Sequence, residues 1–254
     1  MLILEILALL AALIFIALGI LLAPALIGLR PLPDRLEING LRILKDRYVS
    51  VCVLPLGGGG VALFDAGADK SGKTILDELA RLGLGPEAVT AVLLTHGHHD
   101  HVAAAGLFPN ARIMSLAEEV EIAEGLRSPG GPFMLVMRVA PAGFKVHRAL
   151  RDGETVELGG TKVRVFAVPG HTPGSAAFLV NGVLILGDAA GGQTDGRLRT
   201  APWVFNANSA QNRASLKQLA ARLSPEGSVQ ALVFGHSGAM QNGIEPLTAL
   251  VRNW

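Results

Sequence analysis

The stretch Thr95-His96-Gly97-His98-His99-Asp100-His101 decides how this chain is read. It follows an apolar run, residues 88–94, that reads as a buried strand. Four side chains able to ligate a metal, His96, His98, Asp100 and His101, fall within six residues. Imidazoles and a carboxylate crowded into one loop gain little from one another unless a cation organises them. His96 and His98, two apart, can point together from an extended segment, while Asp100 and His101 turn with the chain toward a second position. Gly97 permits the tight backbone.

Three more residues of ligand type end later strands. Val168-Pro169-Gly170-His171, Leu186-Gly187-Asp188 and Phe234-Gly235-His236 each close an apolar run with a histidine or an aspartate. Strand ends in a layered fold converge on one rim, so His171, Asp188 and His236 are expected to share a pocket with the first four.

Outward from these segments, residues 48–56 and 61–65 read as strands joined by the turn Gly57-Gly58-Gly59-Gly60. Residues 71–82 carry helical spacing, with Ile75, Leu76, Leu79 and Leu82 on one face. In the second half, 161–168 alternates as a strand and 176–180 pairs with 183–186 about Asn181-Gly182. Residues 209–223 are helical, and 231–234 form a last strand. Two strand-rich halves, each followed by helices, predict two sheets packed face to face with helices outside.

Composition bounds the rest. A chain of 254 residues, half of them apolar and 17% charged, suits one substantial core and one catalytic domain. Lys plus Arg number 22 against 21 Asp plus Glu, with no basic run interleaved by aromatics, so no nucleic-acid partner is expected. Cys52 is the only cysteine, which excludes an internal disulfide and a multi-thiolate zinc site. Within Val51-Cys52-Val53-Leu54 it reads as a buried core thiol.

The N-terminus differs in kind. Residues 6–29 contain no charged or strongly polar side chain, and 24 such residues in a helix would cross the ~30 Å hydrocarbon layer. The expectation is an N-terminal transmembrane helix: residues 1–29 as a single-pass membrane anchor, the proline-stiffened 30–34 as a linker, and 35–254 as the catalytic domain. A cleaved signal peptide, giving a secreted or periplasmic protein, is the rival. Ala23-Pro24-Ala25 has the small-x-small look of a cleavage site, but Glu5 stands where a basic region is usual. Arg30, Arg35, Arg42, Lys45 and Arg47 all follow the segment, and the positive-inside tendency would keep the domain cytoplasmic.

The ordered set of ligands resembles the metallo-β-lactamase superfamily, whose signature is His-x-His-x-Asp-His followed by a histidine, an aspartate and a final histidine. The resemblance covers roughly residues 51–254. It implies an α/β (α+β) fold, a four-layer αββα sandwich with metals at one edge. It places one metal on His96, His98 and His171, a second on Asp100, His101 and His236, and Asp188 between them, with Zn2+ (two per chain) as the expected cofactor. A hydroxide held by both cations would be the nucleophile, with Asp100 orienting it and His96 and His98 part of the same catalytic machinery. Asp65, in Leu63-Phe64-Asp65-Ala66-Gly67, resembles the family's strand-end aspartate that supports a metal-binding histidine. A turn-capping aspartate is its plain alternative. His99 fills the variable position of the signature and is expected to face solvent or support the site from behind, and His147 receives no role.

Within the family, the β-lactamases that place cysteine at the second metal are disfavoured, because Asp188 stands there. That aspartate is similar to the one in glyoxalase II-like thioesterases, lactonases and phosphodiesterases. Lactonases of the family add a tyrosine between the bridging aspartate and the last histidine, whereas Tyr48, the only tyrosine, precedes the signature. The 47 residues between Asp188 and His236 leave little space for a nuclease's inserted domain. Persulfide dioxygenases share the signature with a single Fe on the His96, His98 or His171, and Asp188 equivalents. The apolar stretch Pro129-Gly130-Gly131-Pro132-Phe133-Met134-Leu135-Val136-Met137 reads equally as a lid or as core packing. The expected function is a membrane-tethered metal-dependent hydrolase acting on an ester or thioester of a small-molecule or acyl substrate. An iron persulfide dioxygenase, a phosphodiesterase/nuclease or lactonase, and a non-catalytic metal-binding scaffold are the alternatives.

Overall fold

The computed structural model describes residues 27–252 and 254, together with scattered positions before 27. The first sheet runs β1 (Arg35–Ile38), β2 (Leu41–Asp46), β3 (Val49–Pro55), β4 (Val61–Phe64), β5 (Val89–Leu93), β6 (Arg112–Leu116) and β7 (Arg148–Leu150), in that spatial order. Its first four strands form an antiparallel meander, and β4 to β7 are parallel. The second sheet is built from β8 (Thr155–Leu158), β9 (Thr161–Ala167), β10 (Ala176–Val180), β11 (Val183–Ile185) and, after the small ribbon β12 (Ala190–Gly192) and β13 (Leu198–Thr200), β14 (Ala231–Val233). Its order is β14-β11-β10-β9-β8, with β14 parallel to β11.

Side chains on a strand alternate between faces, so strands buried on both sides read as continuous apolar runs. In β3, Cys52 and Leu54 join the core between the sheets while Val51 and Val53 face the opposite way; in β10, Phe178 and Val180 look inward and Leu179 outward. Each outer face is covered by helix. Ile75 and Leu79 of the helix Lys73–Arg81 close the first sheet, and Leu216, Leu219 and Leu223 of the helix Ser209–Leu223 close the second, with Leu247 of Glu245–Arg252 beside them. The expected hairpins and helices are present, and Cys52 is buried. His147 is structural: its Nδ1 accepts the Ile113 N–H at 3.0 Å beside the β6–β7 pair.

Two expectations for the N-terminal region meet different outcomes. The apolar run 6–29 falls largely outside the described residues, and among those described no helix is long and apolar enough to cross a membrane. The anchor therefore has no structural support here. The stretch 30–34, expected as a stiff linker, is docked at its start. The Arg30 N–H bonds Gly192 O at 3.0 Å, Gly238 N–H bonds Arg30 O at 3.0 Å, and Leu29 pairs with Gln193. The edge of the β12–β13 ribbon leaves backbone groups open, and the incoming chain satisfies them before the prolines begin.

Candidate metal centre

All seven expected ligands arrive at one rim, at the carboxyl ends of strands from both sheets. His96 follows β5, His171 follows β9, Asp188 follows β11 and His236 follows β14. Backbone bonds fasten the two sheets together at that rim: Ala176 N–H to Thr95 O at 2.7 Å, and Ser50 N–H to Gly235 O at 2.7 Å. The helical turn His99–Val102 then swings Asp100 and His101 away from His96 and His98.

The donors fall into two clusters. His96 Nε2 and His171 Nε2 each lie 3.0 Å from His98 Nδ1, and Asp188 Oδ2 is 3.9 Å from His96 and 3.6 Å from His171. In the second cluster His236 Nε2 is 3.4 Å from Asp100 Oδ2. Asp188 reaches this group too, with Oδ2 3.0 Å from His236 Nε2 and Oδ1 3.4 Å from His101 Nε2. Ligand atoms within each group lie within 4.8 Å of one another, the span a single cation can bring together. Three buried side-chain atoms have no hydrogen-bond partner among the described residues, Asn212 Oδ1 and, within the donor set, His101 Nε2 and Asp188 Oδ1, which lie 3.4 Å from each other. Buried polar atoms are rarely left so, and a cation is the partner this donor set fits.

The electrostatics divide the two clusters: burial opposes charge on His101 and His236, but Asp188 and, at His101, Asp65 outweigh it, holding His101 well above the ordinary histidine range and lifting His236 to about 9. Burial and the neighbouring imidazoles hold His96 and His98 well below the ordinary histidine range, and burial lowers His171 as well, so the first cluster presents neutral rings as metal ligation requires. Burial also works against charge on Asp188, but His236 and His101 outweigh it and keep that carboxylate ionised.

The second ring nitrogens of His96, His101, His171 and His236 are held from behind. Thr95 Oγ1 is 3.0 Å from His96 Nδ1, Asp65 Oδ2 is 2.8 Å from His101 Nδ1, Asn206 Oδ1 is 3.2 Å from His171 Nδ1, and Tyr48 O is 2.9 Å from His236 Nδ1. Such contacts choose the tautomer and the ring direction. Asp65 thus meets a histidine as expected, and it also accepts from Thr95 N–H and Thr95 Oγ1. His99 is exposed and outside both clusters. Sequence reasoning missed Glu119, Asn206 and Tyr48. Tyr48, although it precedes the signature, stacks its ring on His236 with centroids 5.9 Å apart.

The centre opens into a cavity of about 540 Å³ whose walls include Leu29, Pro129, Phe133, Met134, Met137 and Phe205. Pro129, Phe133, Met134 and Met137 of the stretch 129–137 therefore line the site, and no residue of the stretch joins any of the three core clusters.

This fold and this donor set define a metallo-hydrolase class of protein. The family described as the metallo-beta-lactamase superfamily matches residues 46–236, and the chain belongs to it. A hydroxyacylglutathione hydrolase of Aeromonas hydrophila is 34% identical over 151 residues, covering 58% of this chain and 48% of that protein. The chain spans about half the length of the relatives of that name with which it aligns. An uncharacterized protein of Bacillus subtilis, YobT, is 29% identical across 76% of this chain and 84% of its own length. Among solved structures, a metallo-beta-lactamase family protein from Thermus thermophilus superposes with a TM-score of 0.64 at 27% identity, covering 85% of this chain and 79% of its own. The subclass B3 enzyme BJP-1 of Bradyrhizobium japonicum does so at 0.61 and 22% identity, over 84% and 81% of the two chains, a likeness of fold.

Proposed function

We propose that this protein is a dinuclear metal-dependent hydrolase that cleaves an ester or thioester of an acyl substrate. The observation that carries the reading is the pair of donor clusters sharing Asp188 at the floor of an apolar cavity. His96, His98 and His171 would hold one cation, Asp100, His101 and His236 a second, and Asp188 would lie against both. An all-nitrogen and oxygen donor set without thiolate suits zinc. Cations so placed supply Lewis acidity, lowering the pKa of water and polarising a carbonyl.

The chain's own residues do the rest. Asp100 and Asp188 offset the positive charge, and the contacts from Thr95, Asp65, Asn206 and the Tyr48 carbonyl present each ring nitrogen in one protonation state. The apolar side chains of the wall, Leu29, Phe133, Met134, Met137 and Phe205 among them, offer an apolar group a place beside the centre. The acyl preference is supported by the relatives named for releasing a hydroxyacyl group from glutathione. The completeness of the second cluster favours two cations over the single iron of a persulfide dioxygenase.

The test is elemental analysis of the purified chain alongside a panel of thioester, lactone, phosphodiester and β-lactam substrates. About two zinc ions per chain with thioester or ester turnover is the expected result. One iron with sulfur oxidation, or full metal occupancy with silence across the panel, overturns it.

A further inference from the structure

The cavity has a mouth whose chemistry the catalytic centre does not require. Leu135 and Val136 are 86% and 80% exposed, on a lip whose neighbours Phe133 and Met137 line the cavity. Phe133 meets Phe205 ring to ring at 5.1 Å, which joins this lip to the segment Trp203–Phe205, where Trp203 is 54% exposed. Large apolar side chains grouped in water at the entrance of a cavity mark a surface meant to be covered. Cationic side chains stand among them: Lys70, Arg138 and Arg199 all line the same opening.

What covers the surface is indicated by the chain itself. The uncharged apolar run of residues 6–29 ends at Leu29, and Leu29 is part of the cavity wall, fixed there by its backbone pairing with Gln193. Ile27, 70% exposed, is tied to the same edge by Arg199, whose Nη1 donates to Ile27 O at 3.4 Å. A stretch with the length and composition to prefer hydrocarbon therefore enters the domain at the cavity mouth, beside exposed leucine, valine and tryptophan and a set of cations.

We propose that this mouth docks on an anionic lipid surface, with Leu135 and Val136 at acyl-chain depth and Lys70 and Arg138 at the level of the phosphates. The cavity then receives the acyl chain of an amphiphilic ester or thioester directly from that surface. The second half rests on the hydrolytic reading above; the docking half does not.

Two arms test it on the full chain. For docking, Leu135→Trp is made in a Trp203→Phe, Trp254→Phe background and added to phosphatidylcholine–phosphatidylglycerol vesicles carrying brominated acyl chains. The control is Lys162→Trp, at the start of β9 and so at the far end of the strand that leads to His171. Strong quenching at 135 with none at 162 is the expected result. Equal, unquenched emission at both positions overturns the proposal, and a second copy or the chain's own apolar run covering the lip would give that outcome.

For substrate entry, the double variant Leu135→Ser, Val136→Ser is compared with the unaltered chain on a long-chain acyl thioester presented in vesicles and on a short soluble one. Loss of about tenfold on the long substrate, consistent with removing two side chains from an apolar phase, with the short one unchanged, is expected. Equal loss on both overturns lipid-surface entry. Absence of turnover on either substrate by the unaltered chain would refute the hydrolytic reading, and the quenching result would still decide docking.

Discussion

Glu119 and Gly97 are joined by a hydrogen bond that ties together the two loops of the first metal cluster. Glu119 Oε1 accepts the Gly97 N–H at 2.7 Å, between His96 and His98, while Oε2 accepts Thr172 Oγ1 at 2.9 Å and Gly174 N–H at 2.8 Å, just beyond His171. The carboxylate is fully buried, so it has no solvent to exchange these partners with. Glu119→Ala would leave two backbone N–H groups without acceptors, at a cost of about 1–3 kcal/mol each. The expected outcome is a urea midpoint lowered accordingly and weaker retention of the first cation on dialysis. A midpoint and metal content equal to those of the unaltered chain would refute the tie.

The same residue gives a pH dependence. Burial pushes the Glu119 carboxyl from its ordinary 4.5 up to about 7, against the opposing pull of the Gly97, Thr172 and Gly174 donors. A carboxyl raised on folding binds its proton more tightly in the folded state. Its contribution to stability is therefore full below about 4.5 and is lost as pH rises through about 7. The lost amount is on the order of 3 kcal/mol. Glu119→Gln, which cannot titrate, should remove that slope. Comparing urea unfolding of metal-free unaltered chain and variant from about pH 5 to 8 should show their difference shifting in the variant's favour as pH rises. Parallel curves would exclude Glu119 as the titrating group.

What was legible in the sequence divides along physical lines. The seven candidate donors, which the fold brings into two clusters, could be read because metal chemistry restricts both residue type and position, and strand ends announce themselves by the apolar runs before them. The long helices and the hairpin about Asn181-Gly182 were readable because period and turn chemistry act locally; Asn181 and Gly182 both take positive φ. Glu119 was not readable. It sits among Glu118 and Glu121, which look like a solvated face, and its partners lie 22 to 55 residues away. Asn206 and Tyr48 support the centre through contacts at separations of 35 and 188 residues, which no local pattern reports. The short strands β1, β6 and β8 were unread for a related reason: four or five residues carry too little period, and their pairing creates them.

Gly235 offers a steric test of the second cluster. A Cβ built there would overlap Asp188 Oδ1 and meet His101 Cε1 at 2.8 Å, closer than any real contact allows. Gly235 follows β14 and donates its own N–H to Gly187 O at 2.8 Å, so its backbone has little freedom to retreat. Gly235→Ala should displace Asp188 from the gap between the clusters. Metal content is expected to fall from about two per chain to one or none, with the far-ultraviolet dichroism of the folded sheet preserved. Two tightly held cations in the variant would show that Asp188 is not needed where it stands.

Asp65 supplies the sharpest substitution, because its replacement by asparagine changes chemistry and almost no shape. Asp65 has φ 60°, a backbone conformation that asparagine tolerates at least as well, so the fold has no reason to object. Its Oδ1 accepts Thr95 N–H at 2.7 Å, and its Oδ2 faces both Thr95 Oγ1 and His101 Nδ1, at 2.7 and 2.8 Å. An amide can place its oxygen on only one of these sides. If the oxygen stays on Thr95 N–H, the NH2 faces His101 Nδ1, which must then accept, and the ring proton moves to Nε2, the atom that points at the second cluster. If the amide turns over, its NH2 meets the Thr95 N–H donor to donor. The first arrangement puts the proton on the atom that should ligate, and the second keeps the ligating tautomer only at the cost of that donor–donor clash, so metal binding is penalised either way; supporting carboxylates of this kind are typically worth about 10–100-fold in metal affinity. Competition against a chromophoric chelator should show that loss at the weaker of two sites, with the thermal unfolding of the metal-free chain little changed. Unchanged affinity at both sites would mean that Asp65 only caps the turn after β4.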